Sequence, residues 1–590
     1  MKTYPVIGIR PIIDARQLGI REELEGKTRT MAEIAKKLIE ENVFYADGTP
    51  ARCVISSTSI SGGEEAARCQ AEFASQNVCA TLSVTPSWCY PLETIDLDPL
   101  TVKAIWGFNG TERPGAVYLA AAMSAHNQMG IPVFSIYGHD VQDMDDDSIP
   151  ADVREKLLRF AQCALAVGQM RNKSYVTFGG VSMGIMGSYL DPKFYIHYLG
   201  IRPEWVDMSE VLRRMELGIY DPEEYERAYA WVRANCPEGY DKNVKRPDLM
   251  HTPEQKEEEW KFVTKLTMIL RDVMLGNEKL AEMGWKEESL GRNAIFAGFQ
   301  GQRNWTDWKP NADFSEALMN STFDWTGKRQ PQILATESDN LNGLSMLFCN
   351  LLTGTAPAFA DVRCYWSPEA VARVTGWQPE GAAEKGFIQL INSGSACLDA
   401  TAASRDENGN PVMKKWWEMT EADIDACLKA TDWCHASLTE FRGGGFSSHF
   451  RTGAEIPVTM VRVNLTDGVG PTLQIAEGTT VVLPDQAHQI LDQRTDPTWP
   501  TTWFAPRITG KGAFTDVYSV MANWGANHGC FAYGHIGRDL ITLASMLRIP
   551  VSMHNVPESG IFRPHSWTSF GTESLEAADY RACAFYGPRY

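Results

Sequence analysis

Ile333-Leu334-Ala335-Thr336-Glu337-Ser338-Asp339-Asn340-Leu341 begins the stretch, running on to Trp366, from which the fold is read. Ile333 and Leu334 open a short apolar run that reads as a strand ending at Glu337. Ser338, Asp339 and Asn340 are all helix-capping residue types, because their side-chain oxygens accept from the unpaired N–H groups of a first turn. Leu341, Leu344, Phe348 and Leu351 then recur at helical spacing, and Gly354 supplies a C-terminal stop. Past Pro357 the chain reads as a strand carrying Asp361. This is a strand–helix–strand unit with one carboxylate near each strand's end. Ligands in open α/β sheets gather at the carboxyl ends of strands, so both acids are expected to face one crevice. Spacing alone leaves a plainer alternative, a helix-end charge and a surface acid.

Toward the N-terminus the same alternation repeats. Val6–Ile9, Val54-Ile55, Thr81–Val84, Ala104–Trp106 and Pro132–Ile136 read as strands. Helices are expected at about Arg21–Glu41, Glu64–Ser75, Gly115–Gln128 and Val153–Met170. Strands alternating with helices predict a mostly parallel α/β sheet. Tyr175–Phe178 starts a second α/β unit, which holds a charged helix at about Glu254–Met274. From Gly386 onward the pattern changes. Phe387–Leu390, Val458–Val461, Leu473–Ile475 and Thr480–Val482 are short, β-rich and punctuated by Gly, Asp and Pro, which predicts an antiparallel barrel or sandwich. Helices follow near Phe514–Asn523 and Leu540–Leu547.

A chain of 590 residues exceeds one hydrophobic core, so two to four domains are expected. A net charge of −19 opposes a polyphosphate partner and excludes nucleic-acid binding as the main role. The 13 cysteines are an odd number with no C-x-x-C pair, fitting reduced, packing thiols in a cytoplasmic protein better than a disulfide framework. The N-terminal apolar run is too short for a signal peptide, and no segment is long and apolar enough to span a bilayer. A soluble chain without a membrane partner is the expectation.

Met521-Ala522-Asn523-Trp524-Gly525-Ala526-Asn527-His528-Gly529 is the second informative stretch. A helix from Phe514 is expected to end at Trp524 with Gly525 left-handed, leaving Asn527 and His528 in a Gly-flanked loop suited to presenting a ligand. The alternative for His528 is a hydrogen-bonded structural histidine. Two carboxylates and one imidazole suit Mn²⁺ or a similar divalent cation better than a thiolate-preferring metal. No P-loop, H-E-x-x-H or strand-linked G-x-G-x-x-G occurs. Gly443-Gly444-Gly445 reads as a turn, with contact to an anion as the second reading. Trp88, Trp305, Trp499, Trp503 and Trp524 lie in loop-like surroundings, where an indole face offers either a platform for a sugar or core packing.

Several of these stretches resemble the L-fucose isomerase family. They are Ala335–Asp339, Phe359–Arg363, Asn523–Gly529, Trp499–Arg507, Phe441–Gly445, Leu543–Val551 with Met553-His554-Asn555, Gly107–Gly115 and Ile136–Asp140. The resemblance extends over essentially the whole chain. It implies an α/β fold of two N-terminal Rossmann-like domains, residues 1–172 and 173–352, followed by a β-rich, barrel-like domain, residues 353–590. It further implies Mn²⁺ held by Glu337, Asp361 and His528, with Glu337 carried by the second domain and the other two by the third. Interconversion of L-fucose and L-fuculose is implied, with D-arabinose to D-ribulose beside it. Arg16, Trp88, Gln300, Ser393, Trp499 and Asn527 are the implied substrate contacts. The implied assembly is a homohexamer in which a neighbour's first domain closes each site, Trp88 reaching across. One position departs from the family: Glu440 stands where a Tyr is expected before Phe441.

Such a reaction moves a proton from C2 to C1 of the sugar. A divalent metal on both oxygens would stabilise the enediolate, donors such as Arg16 or Gln300 would add to that, and Glu337 and Asp361 would transfer the proton. The competing readings are another metal-dependent sugar enzyme, such as a pentose isomerase or an aldolase, and a non-enzymatic sugar-binding protein.

Overall fold

The computed structural model describes residues 4–391 and 396–590. Five strands open the chain: β1 (Val6–Pro11), β2 (Cys53–Ile55), β3 (Val78–Thr85), β4 (Val102–Gly107) and β5 (Phe134–Ile136). They form an all-parallel sheet in the order β2-β1-β3-β4-β5. β4 is buried along its whole length, as expected for a parallel strand covered by helices on both faces. The helix Ile20–Asn42 shows why: Leu24, Met31, Ala35, Leu38 and Ile39 recur along one face and are buried. From β1 the chain adds β2 on one side and then β3 to β5 on the other, so the crevice at the carboxyl ends of β1 and β3 is the natural ligand position. Arg16 and Trp88 follow those two strand ends.

The second sheet contains β6 (Ser174–Phe178), β7 (Arg202–Val206) and β8 (Ala294–Phe299). After a short hairpin, β9 (Phe323–Asp324) with β10 (Gly327–Lys328), β11 (Leu334–Ala335) joins it. The order is β11-β8-β6-β7, again all parallel. The helix Pro253–Leu275 starts at a capping box in which Thr252 and Gln255 satisfy each other's backbone N–H groups.

The rest of the chain is built on a barrel. Its strands are β12 (Ala358–Trp366) and β13 (Phe387–Ile391), then, past a separate antiparallel pair β14 (Asp432–His435) and β15 (Phe446–His449), β16 (Pro457–Thr466), β17 (Gly470–Thr480), β18 (Thr501–Pro506) and β19 (His528–Tyr533). The ring runs β16-β19-β12-β13-β18-β17 and closes through β16–β17, every neighbour antiparallel. β20 (Val551–Met553) adds in parallel to β17. Alternation along each strand splits the buried residues. Ala358, Ala360, Met460 and Phe531 lie in one core, while Phe359, Val461, Cys530 and Ala532 face a larger core shared with the helices Asn340–Thr353 and Gly537–Leu547.

Four local expectations are corrected. β12 pairs with barrel strands and not with the sheet that ends at β11, so the helix Asn340–Thr353 links two different sheets. Leu473–Ile475 and Thr480–Val482 are not two strands, because the single β17 runs from Gly470 to Thr480. The helix expected over Phe514–Asn523 is a 3₁₀ turn, Gly512–Phe514, followed by Val517–Ala522 capped by Asp516. Gly525 is not left-handed, and that helix closes at Asn523 in right-handed conformation. All thirteen cysteines are free, and all but the half-buried Cys364 are buried.

Candidate functional site

Glu337 sits in a 3₁₀ turn, Thr336–Ser338, between β11 and the helix Asn340–Thr353. Both Glu337 (φ 57°) and Ser338 (φ 52°) occupy the left-handed region, a costly conformation for residues with a Cβ that concentrates at functional sites. Asp339 is the N-cap: its side chain accepts from Asn342 N–H at 3.1 Å. The turn therefore aims the Glu337 carboxylate while the helix behind it is fixed.

The other two side chains come from the barrel. Asp361 in β12 and His528 in β19 are register partners on adjacent antiparallel strands. Period-2 alternation places both on the same side as Phe359, Cys530 and Ala532, which pack in the core containing the helix Asn340–Thr353. That helix is tied to the barrel by Asn342, which donates to the Gly529 carbonyl at 3.1 Å. Asp361 is thus mid-strand and not at a strand's end, and His528 is the first residue of β19 and not in a loop.

The three groups meet through His528. Its Nε2 lies 3.4 Å from Glu337 Oε2 and 3.3 Å from Asp361 Oδ1. Its Nδ1 lies 2.6 Å from Asp339 Oδ2. Asp339 also receives Arg462 Nη1 at 2.6 Å, and both of those side chains are fully buried. Burial works against a charge on His528, yet its bonds to Asp339, Asp361 and Glu337 hold the imidazole well above its ordinary range. Burial likewise opposes the Asp339 charge, and Arg462 and His528 overcome it, keeping that carboxyl well below the usual range. Asp339 and Arg462 carry no signal in a single sequence as a His-orienting pair, since they are far apart along the chain. Asp339 was legible only as a cap.

More carboxylates surround Glu337. Thr336 Oγ1 donates to Glu316 Oε2 at 2.8 Å, and Gln302 Nε2 donates to Glu337 Oε1 at 3.3 Å. Burial, with Glu316 and Glu337 nearby, pushes the Asp313 carboxyl well above the usual range. This concentration of acids favours a cation.

The expected substrate contacts divide into three groups. Asn527 Nδ2 lies 3.0 Å from His528 Nε2, and its carbonyl accepts from Val362 N–H at 2.8 Å, so Asn527 joins the trio directly. Gln300 follows β8, two residues before Gln302, and accepts from Gly180 N–H at 2.9 Å. Trp499 is half-buried, its ring edge-on to Phe441 at 6.2 Å. Arg16 and Trp88 stay within the first domain, where Arg16 is held by Asp14 at 2.6 Å and Trp88 packs half-buried on that domain's core. Ser393 lies outside the described residues. Of the other tryptophans, Trp305, Trp503 and Trp524 are core residues, and Trp524 Nε1 donates to the His528 carbonyl at 3.1 Å.

Among the described residues a different trio, His251, Glu259 and His435, has ligand atoms all within 4.8 Å of one another and is compatible with a metal ion. Its Glu259 is already engaged. Oε1 faces His251 Nδ1 at 2.5 Å, and Oε2 faces His435 Nε2 at 2.9 Å and accepts from Gly445 N–H at 2.7 Å. Gly444 and Gly445 are left-handed there, and a Cβ on Gly444 would lie 2.3 Å from Glu259 Oε2. The glycine run is a turn moulded onto an internal carboxylate.

The first N-terminal domain of L-fucose isomerase matches residues 4–172, the second N-terminal domain residues 173–354, and the C-terminal domain residues 390–554. Over the full length of both chains, this one is 60% identical to L-fucose isomerase of Clostridium perfringens (strain 13 / Type A). It is 59% identical to that of Phocaeicola vulgatus and 59% identical to that of Streptococcus pneumoniae (strain P1031), also over full lengths.

Proposed function

The chain belongs to the L-fucose isomerase family, and from that premise we propose that it converts L-fucose to L-fuculose, and D-arabinose to D-ribulose, at the site formed by Glu337, Asp361 and His528. The observation that carries this reading is the meeting of two carboxylates, drawn from two different sheets, at one imidazole nitrogen whose other nitrogen is held by Asp339. That donor set suits Mn²⁺: hard oxygens, one imidazole directed by a carboxylate behind it, and an acidic surrounding. We assign Mn²⁺ to this trio rather than to His251, Glu259 and His435, a choice supported by the hydrogen bonds that engage both oxygens of Glu259 within that second cluster.

Glu337, Asp361 and His528 would hold the cation, which when bound supplies Lewis-acid stabilisation for the oxygen charge that develops as the sugar loses its C2 proton. Glu337 and Asp361 form the proton-transferring pair, one on each side of the enediol: one takes the C2 proton, the other delivers a proton to C1, and exchange with solvent restores both. Asn527, Gln300, Ser393 and Trp499 orient the sugar, the indole against its apolar face. Among the described residues, the Arg16 side chain is paired with Asp14 and neither it nor Trp88 forms a hydrogen bond or ion pair with the trio. They belong to the same site if a neighbour's first domain closes it, as in a homohexamer. Exposed Leu18, Leu92 and Leu97 close to them in sequence support such a contact. The thirteen unpaired thiols support a reducing, cytoplasmic setting. Among the described residues no helix is long and apolar enough to cross a membrane.

Glu337→Gln tests the assignment. Turnover of L-fucose should fall by at least a hundredfold, and Mn²⁺ affinity should fall with it. Full turnover in the variant would place the chemistry elsewhere. Running the reaction in D₂O tests the route, since an enediol path incorporates solvent deuterium at C1 of the ketose, whereas complete retention of the transferred hydrogen would indicate a hydride shift.

A further inference from the structure

A cavity of about 120 Å³ lies at the amino ends of β4 and β5, where residues near the C-terminus pack against the first domain. The proposed sugar crevice of that domain is at the opposite, carboxyl ends of the same sheet, so the two are separate. Lys103, Arg548 and Arg589 all line the cavity, alongside Thr101 and Ser545. In a chain of net charge −19 this convergence of cations is unexpected.

The three cations are unequally satisfied. Lys103 is buried, donates to the Thr101 carbonyl at 3.1 Å and hydroxyl at 2.8 Å, and lies 3.7 Å from the Asp96 carboxylate. Arg548 finds only neutral oxygens, the carbonyls of Tyr586 and Pro588 at 3.1 Å each and that of Gly587 at 3.4 Å. Arg589 donates Nη2 to the Leu100 carbonyl at 2.6 Å, while its Nε is buried with no hydrogen-bond partner. Neither guanidinium forms an ion pair with a carboxylate among the described residues. Burial, followed by the charge of Arg589, lowers the Arg548 pKa, and burial brings Lys103 down to about 8. Two guanidiniums that repel each other and lack a counter-charge, one with an unsatisfied buried N–H, form an incomplete arrangement that an oxyanion completes.

We propose that this cavity binds a phosphate group, free or as the head of a small phosphate ester, clamped by Arg548 and Arg589 with Lys103 behind them. Planar guanidiniums match the paired oxygens of such a group.

Calorimetric titration of the intact protein with sodium phosphate, against chloride at equal ionic strength, tests this. Saturable binding in the submillimolar range is expected, weakened at least tenfold in Arg548→Gln and in Arg589→Gln, with each variant's fold checked by circular dichroism. Glycerol 3-phosphate in place of phosphate separates the two sources: tighter binding indicates an ester, weaker binding the free ion. Hydrogen exchange on the unmodified protein gives a readout that does not depend on the variants, since phosphate should slow the amides around Leu100–Lys103 and Tyr586–Tyr590. Absence of saturable heat, unchanged affinity in two folded variants, or exchange that phosphate leaves unaltered at both segments would each overturn the proposal.

Discussion

Asp339 performs three tasks with one carboxylate: it caps a helix, neutralises a fully buried Arg462 and holds His528 by Nδ1. Removing its charge leaves the guanidinium uncompensated, an effect on the order of 3–5 kcal/mol for buried pairs. Asp339→Asn should therefore lower the melting temperature and weaken Mn²⁺ binding at least tenfold by calorimetric titration, while Glu337 and Asp361 remain in place. An unchanged metal affinity would show that His528 needs no carboxylate behind it. The cap was legible because Asp precedes a helical apolar pattern. The other two roles were not, because they depend on residues far along the chain. Asp492 makes a second case. Burial pushes its carboxyl up to about 6, although Thr501 Oγ1 donates to it at 2.9 Å. The folded state thus holds this proton more tightly than the unfolded chain does. The stability it contributes is fully present below the unfolded carboxylate range, falls as pH rises toward 6, and stays lost above it. Asp492→Asn should raise the melting temperature at pH 7.5, by about 1–3 kcal/mol of stability at roughly 1.4 kcal/mol per pH unit. The gain should vanish near pH 4, as thermal melts across that range will show.

At the scale of elements, the parallel strands were readable as short apolar runs between amphipathic helices, because both faces of those sheets are covered. The barrel was readable as β-rich but not strand by strand. β17 looked like two strands because Glu477-Gly478-Thr479 resembles a polar turn. In the fold Glu477 is buried, receiving Arg507 Nη2 at 2.6 Å and Gly537 N–H at 3.0 Å, so its polarity marks an internal network. Gly478 is required for close strand packing, since a Cβ there would lie 2.2 Å from the Ala505 carbonyl oxygen in β18. Gly478→Ala should cost about 2 kcal/mol or more by opening the barrel seam. Gly63→Ala, at a helix start with nothing within 4 Å of the added Cβ, should be neutral or slightly stabilising. Thermal melts of the pair make the comparison. The position of Asp361 was misplaced for a related reason: nothing in one sequence says that the strand after a helix joins a different sheet.

Across the whole molecule, the candidate site spans the second sheet and the barrel, so a bound cation would tie the two together. Chelation should lower the melting temperature and Mn²⁺ should restore it in a concentration-dependent way, because a ligand of the native state alone stabilises by mass action. A melting curve indifferent to both would argue against a cation bridging the domains. The resemblance joined Glu337, Asp361 and His528 where spacing could not, since their proximity exists only after the barrel has closed against the helix Asn340–Thr353. The distribution of sulfur has its own consequence. Thirteen unpaired thiols, twelve of them hidden from solvent, are spread from Cys53 to Cys583. A bulky aromatic disulfide reagent can reach most of them only when the surrounding segment opens. Its colour development under native conditions therefore times those openings, and mapping which sulfurs are labelled first gives the order in which regions of the chain come apart.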